Sequence, residues 1–258
     1  MRVLRTIAEM REAREPLRSG RVGLVPTMGA LHAGHLSLLD AARAECDTVV
    51  MSLFVNPAQF GEQGDLERYP RDEPRDLEAA QEAGVDIVFA PSTREMYPPG
   101  FQTWVEVAEL GSILEGRFRP GHFRGVATVV LKLLTIVRPT HIYFGRKDAQ
   151  QVEVVRRLTR DLAVDVEVRA LPTVRDADGL ALSSRNVLLS PEERARALAL
   201  PRALATRSPE QAYAHLAENG LVVDYVETAD FDPPVLAGAV RVGSTRLIDN
   251  VPLEGDER

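Results

Sequence analysis

Pro26-Thr27-Met28-Gly29-Ala30-Leu31-His32-Ala33-Gly34-His35 follows directly on the apolar run Val22–Val25 and opens a segment whose Leu36, Leu39 and Ala42 share one helix face. A strand that passes through a glycine-bearing turn into an amphipathic helix is half of a βαβ unit, so this stretch predicts a parallel sheet covered by crossover helices. In such sheets ligands collect outside the carboxyl ends of the strands, which is where this turn falls. The same rhythm continues outward. Strands are expected at Thr48–Phe54, Val85–Ala90, His141–Phe144 and Val164–Val168, and Leu77, Ala80 and Ala83 are spaced for another helix face. Phe123–Val137 is apolar almost all round, with Lys132 its main interruption, and reads as a buried helix followed by Pro139. Asp148–Leu162 reads as an amphipathic helix with Val152, Val155 and Leu158 inward.

Near Pro172 the rhythm changes. A polar stretch, Asp176 to Asn186, precedes a helix opened by Ser190 and Pro191 and a linker-like Thr206–Ser208 before Pro209. Strand-like Leu221–Glu227, Ala239–Val242 and Thr245–Asp249 follow. The expected fold is therefore α/β, a Rossmann-like parallel-sheet domain over residues 1–173 and a smaller α+β domain over 174–258. At 258 residues and 45% hydrophobic content the chain can bury a large core and a small one.

The net charge of -7 and the lack of any Lys/Arg run argue against a nucleic-acid or anionic-membrane partner. Met1 to Leu17 carries charges throughout, and no segment approaches the roughly 20 apolar residues of a membrane span, so a soluble cytoplasmic protein is expected. Cys46 is the single cysteine, which excludes an intrachain disulfide and a cysteine-based zinc site. Lys132 and Lys147 are the only lysines in a chain that otherwise uses arginine, a hint that their positions want a compact ammonium.

Four constellations could carry chemistry. In the first, backbone N–H groups and the helix dipole behind Gly29 and Gly34 favour phosphate, and His32 and His35, one turn apart, would point at the same anion. Two histidines there also suit an ordinary helix surface or a zinc pair, although no third ligand has suggestive spacing. The second, Phe54-Val55-Asn56-Pro57-Ala58-Gln59-Phe60, puts two neutral amides on one loop, suited to hydroxyls and a carboxylate that must stay reactive, or simply an Asn-Pro turn. In the third, Gly145-Arg146-Lys147-Asp148-Ala149-Gln150-Gln151, Lys147 could reach phosphate oxygens, Asp148 could cap the helix or hold a ribose hydroxyl, and Gln151 would face the same cavity. The fourth, Leu182-Ser183-Ser184-Arg185-Asn186, could close on a triphosphate or be a solvated loop.

Taken together these segments resemble a known family over almost the whole chain. Pro26–His35 looks like the His-x-Gly-His signature of the nucleotidyltransferase superfamily, and Ser183-Ser184-Arg185 resembles the counterpart of its second, mobile signature. Combined with Phe54–Phe60, Arg119-Pro120-Gly121-His122-Phe123-Arg124-Gly125-Val126 and Lys147-Asp148…Gln151, the pattern is similar to the pantothenate synthetases. The resemblance implies ATP-dependent joining of (R)-pantoate and β-alanine through pantoyl adenylate, in a cytoplasmic homodimer, with Mg²⁺ on the phosphates. It implies His35, His32 and Lys147 as catalytic groups. It places ATP on Met28, Gly29, His32, Gly34, His35, Gly145, Arg146, Lys147, Asp148, Val174, Leu182, Ser183, Ser184 and Arg185. Gln59, Gln151 and Asn56 would hold pantoate and β-alanine, Asp76 is the candidate metal ligand, and the small domain would act as a lid over a hydrolysis-prone intermediate. One departure stands out: Arg146 occupies a position where the family usually has Glu, and there it adds a cation beside the phosphates or points to solvent. The rival readings are a nucleotidyltransferase acting on a phosphate acceptor, which would need a cationic acceptor pocket, and a non-catalytic nucleotide sensor.

Overall fold

The structure, a computed structural model, describes residues 1–17, 19–61 and 63–254, with the side chains of 63–65 outside the description. The chain divides into two compact units, Met1–Phe144 with Val154–Leu171, and Gly145–Glu153 with the residues from Pro172 onward. The contiguous cut expected at 173/174 differs from this division by the segment 145–153 and by Pro172 and Thr173. Asn250, deep in the second unit, holds that segment by hydrogen bonds to the carbonyls of Arg146 and Lys147.

The first unit begins with β1 (Arg2–Leu4), α1 (Ile7–Arg14), β2 (Val22–Thr27), α2 (Ala33–Glu45) and β3 (Thr48–Leu53). It continues through α3 (Gln63–Arg68), α4 (Glu73–Glu82), β4 (Ile87–Phe89), α5 (Thr93–Met96), α6 (Glu115–Phe118) and α7 (His122–Val137). Then come β5 (His141–Gly145), α8 (Ala149–Asp161), whose first turn belongs to the second unit, and β6 (Glu167–Leu171). The six strands form one sheet in the order β1-β4-β3-β2-β5-β6, with β1/β4, β3/β4, β2/β3 and β2/β5 parallel. Val22, Leu24 and Val25 of the central β2 are wholly buried, as expected for a strand covered on both faces. Val25, Met51 and Val88 pack with Leu38, Leu39 and Ala42 of α2 and Ala80 of α4. A side chain such as Leu39, buried completely, contributes about 1.5–3 kcal/mol.

The second unit carries α9 (Pro191–Ala197), α10 (Ala199–Leu204), α11 (Pro209–Glu218) and an antiparallel sheet of β7 (Val222–Ala229), β8 (Val235–Val242) and β9 (Thr245–Pro252). Its separate core joins Leu200, Leu204 and Leu216 to Leu236, Val240 and Leu247. Ser190 and Glu193 close a reciprocal capping box on α9, which is why Ser-Pro opens a helix there.

Three sequence readings change. The edge strand β1 and the helix α1 carry no periodic apolar signal and add to the expected elements; β1 owes its place to pairing with β4. Val164 lies before β6, because the Ala163 and Val164 N–H groups close the end of α8 on the carbonyls of Arg160 and Thr159. Thr206–Ser208 is no linker: the Ser208 hydroxyl accepts from the Gln211 N–H and caps α11.

Candidate active site

Chain order runs β2, β3, β4 to one side, then returns to place β5 on the other side of β2. This reversal makes the carboxyl end of β2 a topological switch point, the usual crevice for a ligand in an open α/β sheet.

The turn that leaves β2 is strapped down by Asp76. One carboxylate oxygen accepts from the Ala30 N–H at 3.0 Å and the other from the Leu31 N–H at 2.8 Å. Those bonds hold Ala30 at φ 51°, a left-handed conformation that costs a non-glycine residue about 1 kcal/mol or more. Gly29, at φ 82°, is required twice over, since a Cβ there would lie 2.7 Å from the Asp76 carboxylate. Asp76 is only 3% exposed, and this strap is the role the structure gives it.

His32 and His35 form a capping box at the start of α2. The His32 Nδ1 accepts from the Gly34 N–H at 3.1 Å, and the His35 Nδ1 accepts from the His32 N–H at 3.4 Å. A ring nitrogen that accepts carries no proton, so each imidazole keeps its N–H on Nε2. The two rings lie 4.1 Å apart. Each ring thereby keeps its Nε2–H at a helix N-terminus, where such donors are suited to a phosphate oxyanion.

Beside this turn lies an amide cluster. The Asn56 Nδ2 donates to Gln59 Oε1 at 3.0 Å and to the Gly125 carbonyl at 3.1 Å. Its Oδ1 accepts from the Tyr97 hydroxyl at 2.8 Å and the Ala58 N–H at 3.3 Å. Asn56, 1% exposed, thus has both ends of its amide engaged within the protein, one of its bonds going to Gln59. The Gln59 Nε2 sits 3.2 Å from the sulfur of Met28, so Met28, placed with the nucleotide by the resemblance, also borders the amide.

The Arg119–Val126 motif is the plate behind this cluster. His122 Nδ1 donates to the Gln59 backbone carbonyl at 2.8 Å, and the Arg119 guanidinium reaches the same carbonyl at 3.4 Å. At Gly125 the helix touches the Gln59 turn so closely that a Cβ would lie 2.2 Å from the Ala58 carbonyl oxygen and 2.7 Å from the Gln59 nitrogen. No local sequence signal connects Tyr97 or Gly125 with Gln59; Tyr97 reaches it through Asn56, and Gly125 through the packing of α7 on the 57–59 turn.

The second unit holds the remaining candidates. Gly145, Arg146, Lys147, Asp148 and Gln151 are all half-buried. The Lys147 ammonium stands 3.7 Å from the Asp148 carboxylate. Arg146 does not simply point to solvent: its Nε is buried without a hydrogen-bond partner among the described residues. The Asn250 side chain donates to the carbonyls of Arg146 and Lys147 at 2.8 and 2.9 Å, and the adjacent Asp249 makes a two-pronged ion pair with Arg175. Val174 and Leu182 face one another across a polar hairpin, the Leu182 N–H bonding to the Val174 carbonyl. Ser183 caps the turn that follows by accepting from the Arg185 N–H at 3.3 Å, and Ser184 and Arg185 are half-buried there.

These residues do not fit a protein-held metal. Asp76 is committed to two backbone N–H groups, and no three of His, Cys, Asp or Glu cluster suitably among the described residues. No helix among the described residues is long and apolar enough to cross a membrane.

Comparison with known proteins gives one consistent result. A family model described as Pantoate-beta-alanine ligase matches residues 2–252. The pantothenate synthetase of Roseiflexus sp. (strain RS-1) is 51% identical, covering 98% of this chain and 100% of that protein. That of Heliobacterium modesticaldum is 52% identical with the same coverage. The crystal structure of pantothenate synthetase from Thermus thermophilus superposes with a TM-score of 0.92 at 47% identity, covering 99% of this chain and 100% of that one. The pantoate-beta-alanine ligase of Francisella tularensis, a complex with beta-gamma ATP and beta-alanine, gives a TM-score of 0.90 at 36% identity, covering 100% of both chains.

Proposed function

The chain belongs to the pantoate-beta-alanine ligase family, and on that premise we propose that it condenses pantoate with β-alanine, using ATP and releasing AMP and pyrophosphate. A pantoate carboxylate oxygen attacks the α-phosphorus, the bond to the bridging oxygen of pyrophosphate breaks, and pantoyl adenylate forms. The β-alanine amine then attacks the acyl carbon, AMP leaves with the former acyl oxygen, and the amine loses its proton.

One observation supports this reading over nucleotide transfer to a phosphate acceptor. The Gln59 amide adjoins the His32–His35 turn through Met28, with its Nε2 3.2 Å from that sulfur. A neutral donor next to a phosphate-binding turn suits a carboxylate nucleophile, because it orients the anion without neutralising it. His32 and His35 donate from Nε2 to the phosphate oxygens as charge builds on them, and such a donor is worth about 10²–10³ in rate. Lys147, Ser183, Ser184 and Arg185 are the second unit's groups for the phosphate charge, with Gln151 its candidate for pantoate. Mg²⁺, which screens triphosphate charge, enters as a partner of ATP and not on a protein cage. The family resemblance adds a homodimer working in the cytoplasm.

Product analysis tests this. The purified chain with ATP, pantoate and β-alanine should yield AMP, pyrophosphate and pantothenate in equal amounts, and without β-alanine only about one pyrophosphate per site. Appearance of ADP, or pyrophosphate release independent of pantoate, would overturn it.

A further inference from the structure

The hydrogen bonds around Asn56 allow only one polarity. The Gly125 carbonyl can only accept, so the Asn56 atom 3.1 Å from it is the amino group. The Ala58 N–H can only donate, so the atom 3.3 Å from it is the Asn56 carbonyl oxygen. The Tyr97 hydroxyl, 2.8 Å from that same oxygen, must therefore donate. The second Asn56 amino proton points at Gln59, 3.0 Å away, which is obliged to turn its oxygen inward. What Gln59 keeps on its other side is an NH₂ group resting on a thioether, a weak acceptor that a carboxylate displaces readily.

We infer that Tyr97 and Asn56 are positioning residues that fix the direction of the Gln59 amide, so that Gln59 meets the acyl substrate as a donor and never as a carbonyl. Reversal of the amide would set its oxygen against the substrate carboxylate and strand the Asn56 amino proton, a buried loss of the kind that is costly to leave unmade. At 1% and 9% exposure, Asn56 and Gln59 have little water to substitute for these partners. Burial pushes the Tyr97 phenol up to about 12, so it remains a donor throughout the neutral range. Its ring is seated against Phe54, Phe101 and Trp104, with centroids 6.3, 5.1 and 6.1 Å away, contacts that a Tyr97→Phe substitution retains.

Resting as it does on the assignment of Gln59 to pantoate, the relay is tested by steady-state kinetics on Tyr97→Phe, Asn56→Asp, Gln59→Ala and the double variant Tyr97→Phe/Gln59→Ala. Tyr97→Phe should raise the KM for pantoate by about fivefold or more, while the KM for ATP stays within about twofold. With Gln59 already removed, Tyr97→Phe should add nothing further, since its effect travels through that amide. A residue serving stability alone would shift both substrates and would act equally on both backgrounds. Asn56→Asp keeps an acceptor for Tyr97 but removes the donor to Gln59. It too should raise the KM for pantoate, and it carries the test if Tyr97→Phe does not fold. A pantoate KM unchanged in Tyr97→Phe, or in Asn56→Asp, or raised equally with and without Gln59, overturns the relay. If Gln59→Ala itself leaves the pantoate KM unchanged, the assignment of Gln59 to pantoate falls and takes the relay with it; a rise in Gln59→Ala alone removes only the relay.

Discussion

Asp76 and Leu31 are joined by a hydrogen bond of 2.8 Å, carboxylate oxygen to backbone N–H, across 45 residues of sequence. With the companion bond to Ala30 it makes a buried carboxylate the clamp that shapes the turn carrying both histidines. If that turn meets ATP as proposed, the clamp acts on it through backbone geometry.

Asp76→Asn should therefore behave as a lost clamp. One carboxylate oxygen becomes an NH₂ facing an N–H, which sacrifices a charge-assisted bond worth about 1.5–3 kcal/mol. ATP affinity should fall roughly tenfold, with a lower Tm, and excess Mg²⁺ should not restore it. Recovery on titrating Mg²⁺ would identify Asp76 as a metal ligand after all.

His35 can be divided into its two nitrogens. Asn places its amide near the Nδ1 position and preserves the backbone contact, whereas Gln reaches toward the Nε2 position and preserves a donor there. Pyrophosphate release in His35→Asn should drop about 100-fold or more while the Tm is nearly kept, and His35→Gln should retain more of the rate. Equal rates in the two variants would mean that Nε2–H donation is not the contribution.

Asn250 holds the carbonyls of Arg146 and Lys147 from β9. Asn250→Ala should loosen the Lys147 segment and cost about 1–3 kcal/mol, chiefly in the adenylation step. A rapid-quench measurement of pyrophosphate release, with the Tm as a check on folding, distinguishes this from a stability effect alone. A rate within about twofold of the parent would show that Lys147 is positioned by other contacts.

Gly125 bears on both stability and pantoate. Gly125→Ala drives a methyl group into the Ala58 carbonyl, so α7 or the Gln59 turn must shift, at a cost of roughly 1–3 kcal/mol or more. Thermal unfolding and pantoate titration should both register the change. A variant with parental Tm and parental affinity would show that the contact relaxes freely.

Much of the fold was legible because apolar runs and turn residues act locally. β2, β3 and β5 lie where their apolar runs predict, and α7 spans His122–Val137 as its nearly all-round apolar surface requires. Elements went unread or were misplaced for two reasons: β1 exists only through its pairing with the distant β4, and Val164 was drawn by the nearby Thr159 carbonyl into the closing turn of α8.

The sequence by itself determined which residue types were available for the chemistry and the order in which strands and helices deliver them. Phosphate-binding turns, amide loops and caps are written in neighbouring residues, because they depend on bonds reaching three or four positions along the chain. Only the tertiary structure decided what those groups do. Asp76 reaches the Ala30–Leu31 turn, and Tyr97 directs Gln59 through Asn56. Gly125 is glycine because a carbonyl 67 positions earlier presses against it. A hydrogen bond is settled by the partner within about 3 Å, and which residue stands there follows from how the elements pack.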